Sequence, residues 1–270
     1  MPDFGSGTSK GLVAGLGALW PDSPVICDDH SWGQRGLQGW TQLHDSTLGF
    51  QSPIGIEPLG HGGGEYLTLR TKNGATGYER DCTCIKRLNH VASVYDLEVW
   101  WAWRSIYGQN GIRAIDFALD NATADGTRYF MKYRWAHYTS ANRDGTGSWT
   151  RTNRLQVVAS DSLYSDLPGS PIYAAAINEN KSDLNYFKGR FDVARGLYLG
   201  CQWGPDRYGC FADDPTAGQA AFEALGQGPL TTLPTFAYGL NPTIEIFGRV
   251  DTAANDAVVN VDRARLTVVS

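Results

Sequence analysis

The chain has 270 residues, a formal net charge of −5 and no basic run, so the electrostatic footprint of a nucleic-acid binder is missing. No stretch is long and apolar enough to cross a bilayer as a helix. Hydrophobic residues make up 42 % and aromatic residues 12 %, with 9 Trp, 13 Tyr and 10 Phe, enough for one large aromatic core.

In chain order, residues 1–34 are rich in Gly, Pro and Asp and predict an irregular N-terminal arm. The apolar part of the arm, Leu12 to Trp20, is broken by glycines, preceded by the single Lys10 and followed by Pro21. It does not read as a secretory leader. "GHGGGEY" (60–66) reads as a flexible turn entering a strand. Alternating segments then predict strands at 65–71, 94–105, 112–120, 127–138, 154–160, 184–193, 196–203, 243–250 and 257–270. Asn73-Gly74, Asn110-Gly111, Asp125-Gly126 and Asp144-Gly145 between them are hairpin signals, because these residues tolerate positive φ. Long loops are expected at 139–153 and 204–242. One short helix is expected within 214–228, capped by Asp214, opened by Pro215 and stopped by Gly226. The sum is an all-β chain, an antiparallel β-sandwich or jelly roll over residues 35–270, with one short helix.

Five cysteines occur, at 27, 82, 84, 201 and 210. The odd count argues against a complete disulfide framework. A zinc site from Cys82, Cys84, Cys201 and Cys210, a Cys201–Cys210 loop disulfide, and reduced buried thiols are the three readings, and the thiols are the expectation. The five histidines show no metal-ligand spacing, and no Gly-x-Ser-x-Gly elbow or phosphate loop is present. No cofactor is expected apart from a candidate structural calcium on Asp120 and Asp125, beside Asn121, in "DNATADG".

The segment "YDLEVWWAWRS" (95–105) places three tryptophans within four positions. In a strand, Tyr95, Leu97, Val99, Trp101 and Trp103 share one face, which reads as core. Asp96, Glu98, Trp100, Ala102 and Arg104 share the other. A polar sheet face with an indole platform suits a sugar, whose C–H faces stack on aromatics while charged groups take the hydroxyls. The candidate ligand-binding set is Trp100, Glu98 and Arg104, extended by Lys132 and Arg134 from a neighbouring strand.

A catalytic alternative rests on a carboxylate pair, because glycoside hydrolysis needs two. Asp96 and Glu98 lie on one strand face, and the segment resembles the "ExDxE" strand of laminarinase-like hydrolases. The first glutamate of that pattern is absent, since Val94 and Tyr95 precede Asp96. "NYFKGRFDVARG" (185–196) resembles the "YFKxGxY" strand of sandwich alginate lyases, with Gly189 arriving one residue early. That resemblance implies Tyr186 as base and Lys188 as charge stabiliser. The catalytic set, if the chain is an enzyme, is therefore Asp96, Glu98, Tyr186 and Lys188.

"RGLQGWTQLHD" (35–45), "GEYLTLRTKNG" (64–74), "CIKRLNH" (84–90) and "LNYFKGRFDVARGLYLGCQWG" (184–204) occur in an order that resembles a poorly characterised group of bacterial and phage-associated concanavalin-like sandwich proteins. The closing "VNVDRARLTVV" is similar to the last strand of jelly-roll carbohydrate-binding modules. The resemblance spans residues 35–269 and implies the fold. Its motifs are structural, so it implies no catalytic residue.

Two expectations follow. One is a non-catalytic binding or structural sandwich acting at a surface, such as a tail, receptor-binding or capsid-decorating component of a phage particle. Its arm would contact other subunits, its sheet face would take a glycan, and nucleic acid and membrane are not partners. It would be made in the cytoplasm without a signal peptide, with reduced thiols, and would act on the virion or the cell exterior. The alternative is a carbohydrate-active lyase or hydrolase.

Overall fold

Alternation with a period of two decides the architecture. Tyr95, Leu97, Val99 and Trp101 are each at most 1 % exposed, as are Met131, Tyr133 and Trp135. Strands of this kind have one apolar face that must be covered, and laying two sheets face to face covers both. The computed structural model describes residues 25–35, 37–43, 54–58, 65–71, 80–103, 112–122, 127–140, 149–160, 163–167, 184–213, 220–222, 224–225, 239–248 and 258–270.

The strands are β1 (Val25–Asp29), β2 (Trp40–Leu43), β3 (Ile54–Pro58), β4 (Glu65–Arg70), β5 (Arg80–Lys86), β6 (Val94–Trp103), β7 (Ile112–Ala122) and β8 (Arg128–Ser140). They continue as β9 (Trp149–Ser160), β10 (Leu163–Asp166), β11 (Asn185–Asp192), β12 (Leu197–Trp203), β13 (Asp206–Gly209), β14 (Gly239–Gly248) and β15 (Val258–Val268). A short helix, α1 (Trp32–Arg35), joins β1 to β2. Sheet A has the order β13-β12-β11-β6-β15-β4-β3, and sheet B the order β10-β9-β8-β7-β14-β5-β2. β4 and β1 follow one another along the same edge of β15, at Val258–Val261 and at Ala264–Thr267. All the pairings among the described residues are antiparallel, and the two sheets form the antiparallel β-sandwich that the alternation predicts.

Aromatic rings from the two sheets fill the space between them. Trp101 meets Trp135 at 6.1 Å, Phe117 stacks on Phe187 at 4.6 Å, and Tyr133 meets Phe191 at 5.0 Å. Two buried tyrosines also cross the core in opposite directions. The Tyr133 hydroxyl, from sheet B, donates to the Gly200 carbonyl at 2.8 Å in sheet A. The Tyr198 hydroxyl, from sheet A, accepts from the Lys132 amide at 2.9 Å and donates to the Val158 carbonyl at 3.0 Å in sheet B. The β8–β9 ladder stops at Tyr133 and Val157, so Tyr198 supplies the rung beyond it. Gly189 makes room for this arrangement. A Cβ there would lie 2.6 Å from Phe187 Cζ and 2.8 Å from the Tyr133 ring. That crowding accounts for glycine where the lyase-like pattern has another residue.

Several expectations are corrected. Residues 25–34, expected in the irregular arm, join the sandwich: β1 pairs with β15, and the Trp32 side chain is fully buried with its Nε1 donating to the Asp262 carbonyl at 2.8 Å. Asp28 and Asp29 disfavour a strand by propensity, but both are partnered here. Asp28 pairs with Arg263, and Asp29 accepts from Trp40 Nε1 at 2.9 Å and Lys86 Nζ at 2.5 Å. The Asp29 contacts tie sheet A to β2 and β5 of sheet B. The expected loop at 139–153 holds the ends of β8 and β9, and that at 204–242 holds β13 and the start of β14. Residues 220–222 of the expected helix are helical, and most of the rest lies outside the described residues. So do the four Asn-Gly and Asp-Gly pairs and residues 1–24.

All five cysteines are free thiols. Cys82, Cys84 and Cys201 face the core, whereas Cys210 contacts Arg190 on the outer side of sheet A. A Cys201–Cys210 bridge would need side chains that point towards each other. Among the described residues, no three His, Cys, Asp or Glu side chains form a metal-holding group. Cys210 on the outer side cannot share one ion with Cys82, Cys84 and Cys201 in the core.

Gly189→Ala is expected to lower stability by about 2 kcal/mol through overpacking, read as a lowered denaturation midpoint at unchanged m. Asp29→Ala leaves a buried indole N–H and a nearly buried ammonium unpaired, and is expected to lose about 3 kcal/mol in the same assay.

Candidate functional site

The outward faces of the two sheets both carry charge, and they use it differently. On sheet A the register aligns Arg207, Gln202, Lys188, Glu98, Arg265 and Asp28 in one row across six strands. Arg190 and Asp96 face each other in the next row, and Tyr186, Trp100 and Arg263 in the row on the other side.

Asp96 is the anchor of this face. Its carboxylate accepts from Arg190 Nε at 2.7 Å and Nη2 at 2.9 Å, a bidentate fork, and pairs with Lys188 Nζ at 3.0 Å. Glu98 accepts from the Tyr186 hydroxyl at 2.8 Å and lies 4.0 Å from Arg265 Nη1. The half-buried Trp100 indole packs against the Tyr186 ring at 5.0 Å, and the Arg263 guanidinium lies 5.2 Å from the indole. Phe211 lies 4.8 Å from the Arg190 guanidinium and 5.2 Å from the Lys188 ammonium. Each of these polar side chains is held by a neighbour, so the face is preorganised.

The structure thus brings together Asp96, Glu98 and Trp100 of β6 with Tyr186 and Lys188 of β11; alternation sorts the residues within each strand, and the β6–β11 pairing joins the two groups. It does not bring Lys132 and Arg134 to them. Those residues lie on β8 of sheet B, on the opposite outer face of the sandwich. Alternation tells which face of its own strand a residue occupies, but not which sheet the strand joins. Arg104 lies outside the described residues.

On sheet B, Lys132 and Arg134 are consumed in a buried network. Asp116, fully buried, accepts from Arg134 Nε at 2.6 Å and Nη2 at 2.9 Å, and from the Tyr164 hydroxyl at 3.3 Å. Glu245 accepts from Lys132 Nζ at 2.6 Å and from Thr83 Oγ1 at 3.0 Å. Arg134 is clamped between the Tyr164 ring at 3.7 Å and the Phe247 ring at 4.5 Å. Two cations balance two carboxylates, and the pairing satisfies the charges that burial would otherwise penalise. The calcium candidate is also replaced by an ion pair, since both oxygens of Asp120 accept from Arg128, at 2.8 and 3.0 Å. Asp125 lies outside the described residues.

Reading the sequence alone missed Arg190, Phe211, Arg263 and Arg265. Arg190 was within reach, because it follows Lys188 by two in a strand. Arg263 and Arg265 were not. They share the phase of the core residues Val259 and Val261, and only the register shift between Val261 and Arg263 turns them outward.

Burial first, then the Glu98 carboxylate, pushes the Tyr186 phenol far above its ordinary value. The Tyr186 phenol is thereby held in the neutral form. The Arg190 guanidinium is raised chiefly by its bond to Asp96, and burial pushes the Cys210 thiol up to about 11. Both carboxylates are committed to partners within the sheet.

Tyr133, Tyr164, Tyr186 and Tyr198 all have phenols raised by burial. A phenol raised in the folded state leaves stability intact below its unfolded pKa of about 10 and removes it as pH rises beyond that point. Stability is expected to fall steeply above pH ~10, with the phenolate absorbance of these rings appearing only on cooperative unfolding. A folded-state phenolate signal at pH ~10 that is lost when Tyr133, Tyr164, Tyr186 or Tyr198 is replaced by Phe would contradict the burial described here.

No protein-family model and no curated protein matches the sequence. Solved structures with similarity to the fold include the cellulose induced protein Cip1, at 10 % identity over 90 % of this chain and 97 % of that one, with a TM-score of 0.49. The exoplasmic/lumenal domain of VIP36, solved in its Ca2+/Man3GlcNAc-bound form, is 8 % identical over 85 % and 83 %, with a TM-score of 0.44. TmCBM61, in complex with beta-1,4-galactotriose, is 9 % identical over 90 % and 97 %, with a TM-score of 0.32. At these levels the likeness assigns no side chain and no ligand.

Proposed function

We propose that this chain is a non-catalytic β-sandwich that binds glycan through the outer face of sheet A. The observation that carries the reading is the half-buried Trp100–Tyr186 aromatic pair, set on the same face as hydrogen-bonded Glu98, Asp96, Lys188 and Arg190. A sugar offers apolar C–H faces and a rim of hydroxyls, and such a surface offers rings and fixed polar groups to match. Side chains already held in place lose little further freedom when a ligand arrives. The catalytic alternative has the right residues together, but the neutral Tyr186 and the engaged carboxylates give no observation in its favour.

We propose further that the surface served is that of a phage particle, as a tail, receptor-binding or capsid-decorating component, with the N-terminal arm contacting other subunits. The support is the five free thiols, which suit folding in a reducing cytoplasm before release to the exterior.

The test is to titrate the purified protein with bacterial and algal polysaccharides, following tryptophan fluorescence for binding and reducing ends with unsaturated-product absorbance for turnover. Binding without products, weakened about tenfold or more by Trp100→Ala, is the expected result. Products that disappear in Glu98→Gln or Lys188→Ala would make the chain an enzyme. Binding indifferent to Trp100→Ala would remove sheet A as the site.

A further inference from the structure

The charges on the outer face of sheet A are layered. The central carboxylates lie deep, with side-chain exposures of 5 % for Asp96 and 12 % for Glu98, while Asp28 at the end of the row is 30 % exposed. The cations that cover Asp96 reach solvent, at 22 % for Lys188 and 26 % for Arg190, whereas Arg265 beside Glu98 is 12 % exposed. Arg263, over Trp100, is 37 % exposed, and Arg207 is exposed at the end of the row. A ligand approaching this face therefore meets ammonium and guanidinium groups first, on a chain whose overall charge is −5. The sheet B network has no such layering. Its cations Lys132 and Arg134 are 13 % and 6 % exposed, and its charges balance within the buried layer.

Donor accounting agrees. Arg190 gives Nε and Nη2 to Asp96 and also bonds the Cys210 thiol. A guanidinium has five N–H groups, so donor capacity remains. Lys188 has three and is paired with one carboxylate oxygen. Asp96 fixes both cations from below, and Phe211 lies against both. Two cations held two residues apart on one strand form a fixed receptor for an anionic group, and guanidinium suits a planar or tetrahedral oxyanion.

We infer that the glycan this face takes is acidic, with a carboxylate or sulfate group on its sugars docking on Lys188 and Arg190. The inference rests on the glycan reading above and narrows it to a ligand class. Trp100 and Tyr186 take a sugar ring, and the cation pair takes the charge of the chain.

The experiment measures binding of the intact protein to polygalacturonate, to the same polymer after carboxyl reduction, to a sulfated galactan and to its neutral counterpart, with polyglutamate as a non-sugar polyanion. The expected result is that at least one acidic polymer binds about tenfold or more tighter than its neutral partner, since a charge-assisted hydrogen bond outweighs a neutral one. The preference is expected to shrink as salt rises. The arm that responds identifies carboxylate or sulfate. Lys188→Gln, which leaves the Asp96–Arg190 fork in place, is expected to remove most of the preference for the acidic polymer. The wild-type comparison needs no variant to fold. Equal binding of acidic and neutral polymers would overturn the inference and leave glycan binding standing. Equal binding of polyglutamate would also overturn it, since charge alone would then suffice. Silence towards every polysaccharide would overturn both.

Discussion

The crossing of Tyr133 and Tyr198 is the constraint on which the rest depends. Each ring spans the core and places its hydroxyl on the backbone of the opposite sheet. A buried phenol without a partner is costly, so each hydroxyl must meet its carbonyl, and that requirement sets how the two sheets lie against one another. The same crossing demands the absence of a side chain at residue 189 and stacks Phe187, Phe191 and Phe117 around it. At the far edge, Asp29 joins Trp40 and Lys86 across the sheets, so the sandwich is pinned at its centre and at its rim.

With the inner faces committed to the core, the outer faces are where the molecule differs from a generic sandwich. Sheet B closes its charges into a compact buried network around Asp116, with Arg134 held between two rings. Such a network adds rigidity and leaves little for a ligand to engage. Sheet A instead buries Asp96 beneath Lys188 and Arg190, which reach solvent beside the half-buried Trp100–Tyr186 pair. The two faces have similar residue types, and the depth at which each sign sits separates a structural network from a receptive surface.

Much of this was legible in one dimension, where a residue's role follows from its strand parity. The core positions of β6 and β8 follow from alternation alone, and so does the outward grouping of Asp96, Glu98 and Trp100, or of Tyr186 and Lys188. The pairing of β6 with β11, which joins those two groups into one site, did not follow, because strands 94–103 and 185–192 are far apart in sequence. Two errors share that cause. Lys132 and Arg134 were grouped with Trp100, although β8 joins the other sheet. Residues 25–34 were grouped with the arm, although β1 finds its partner in β15, more than two hundred residues away.

Sequence by itself therefore determined the class of fold, the composition of the core and the side of each strand that meets solvent, because these depend on local periodicity and on the burial of apolar area. Tertiary structure alone decided which strands became neighbours and that a register shift turned Arg263 and Arg265 outward. It also decided that one set of charges sank while another rose. Those outcomes depend on non-local pairing and on the depth of each group in the folded protein, and neither is encoded in the spacing of residues along the chain.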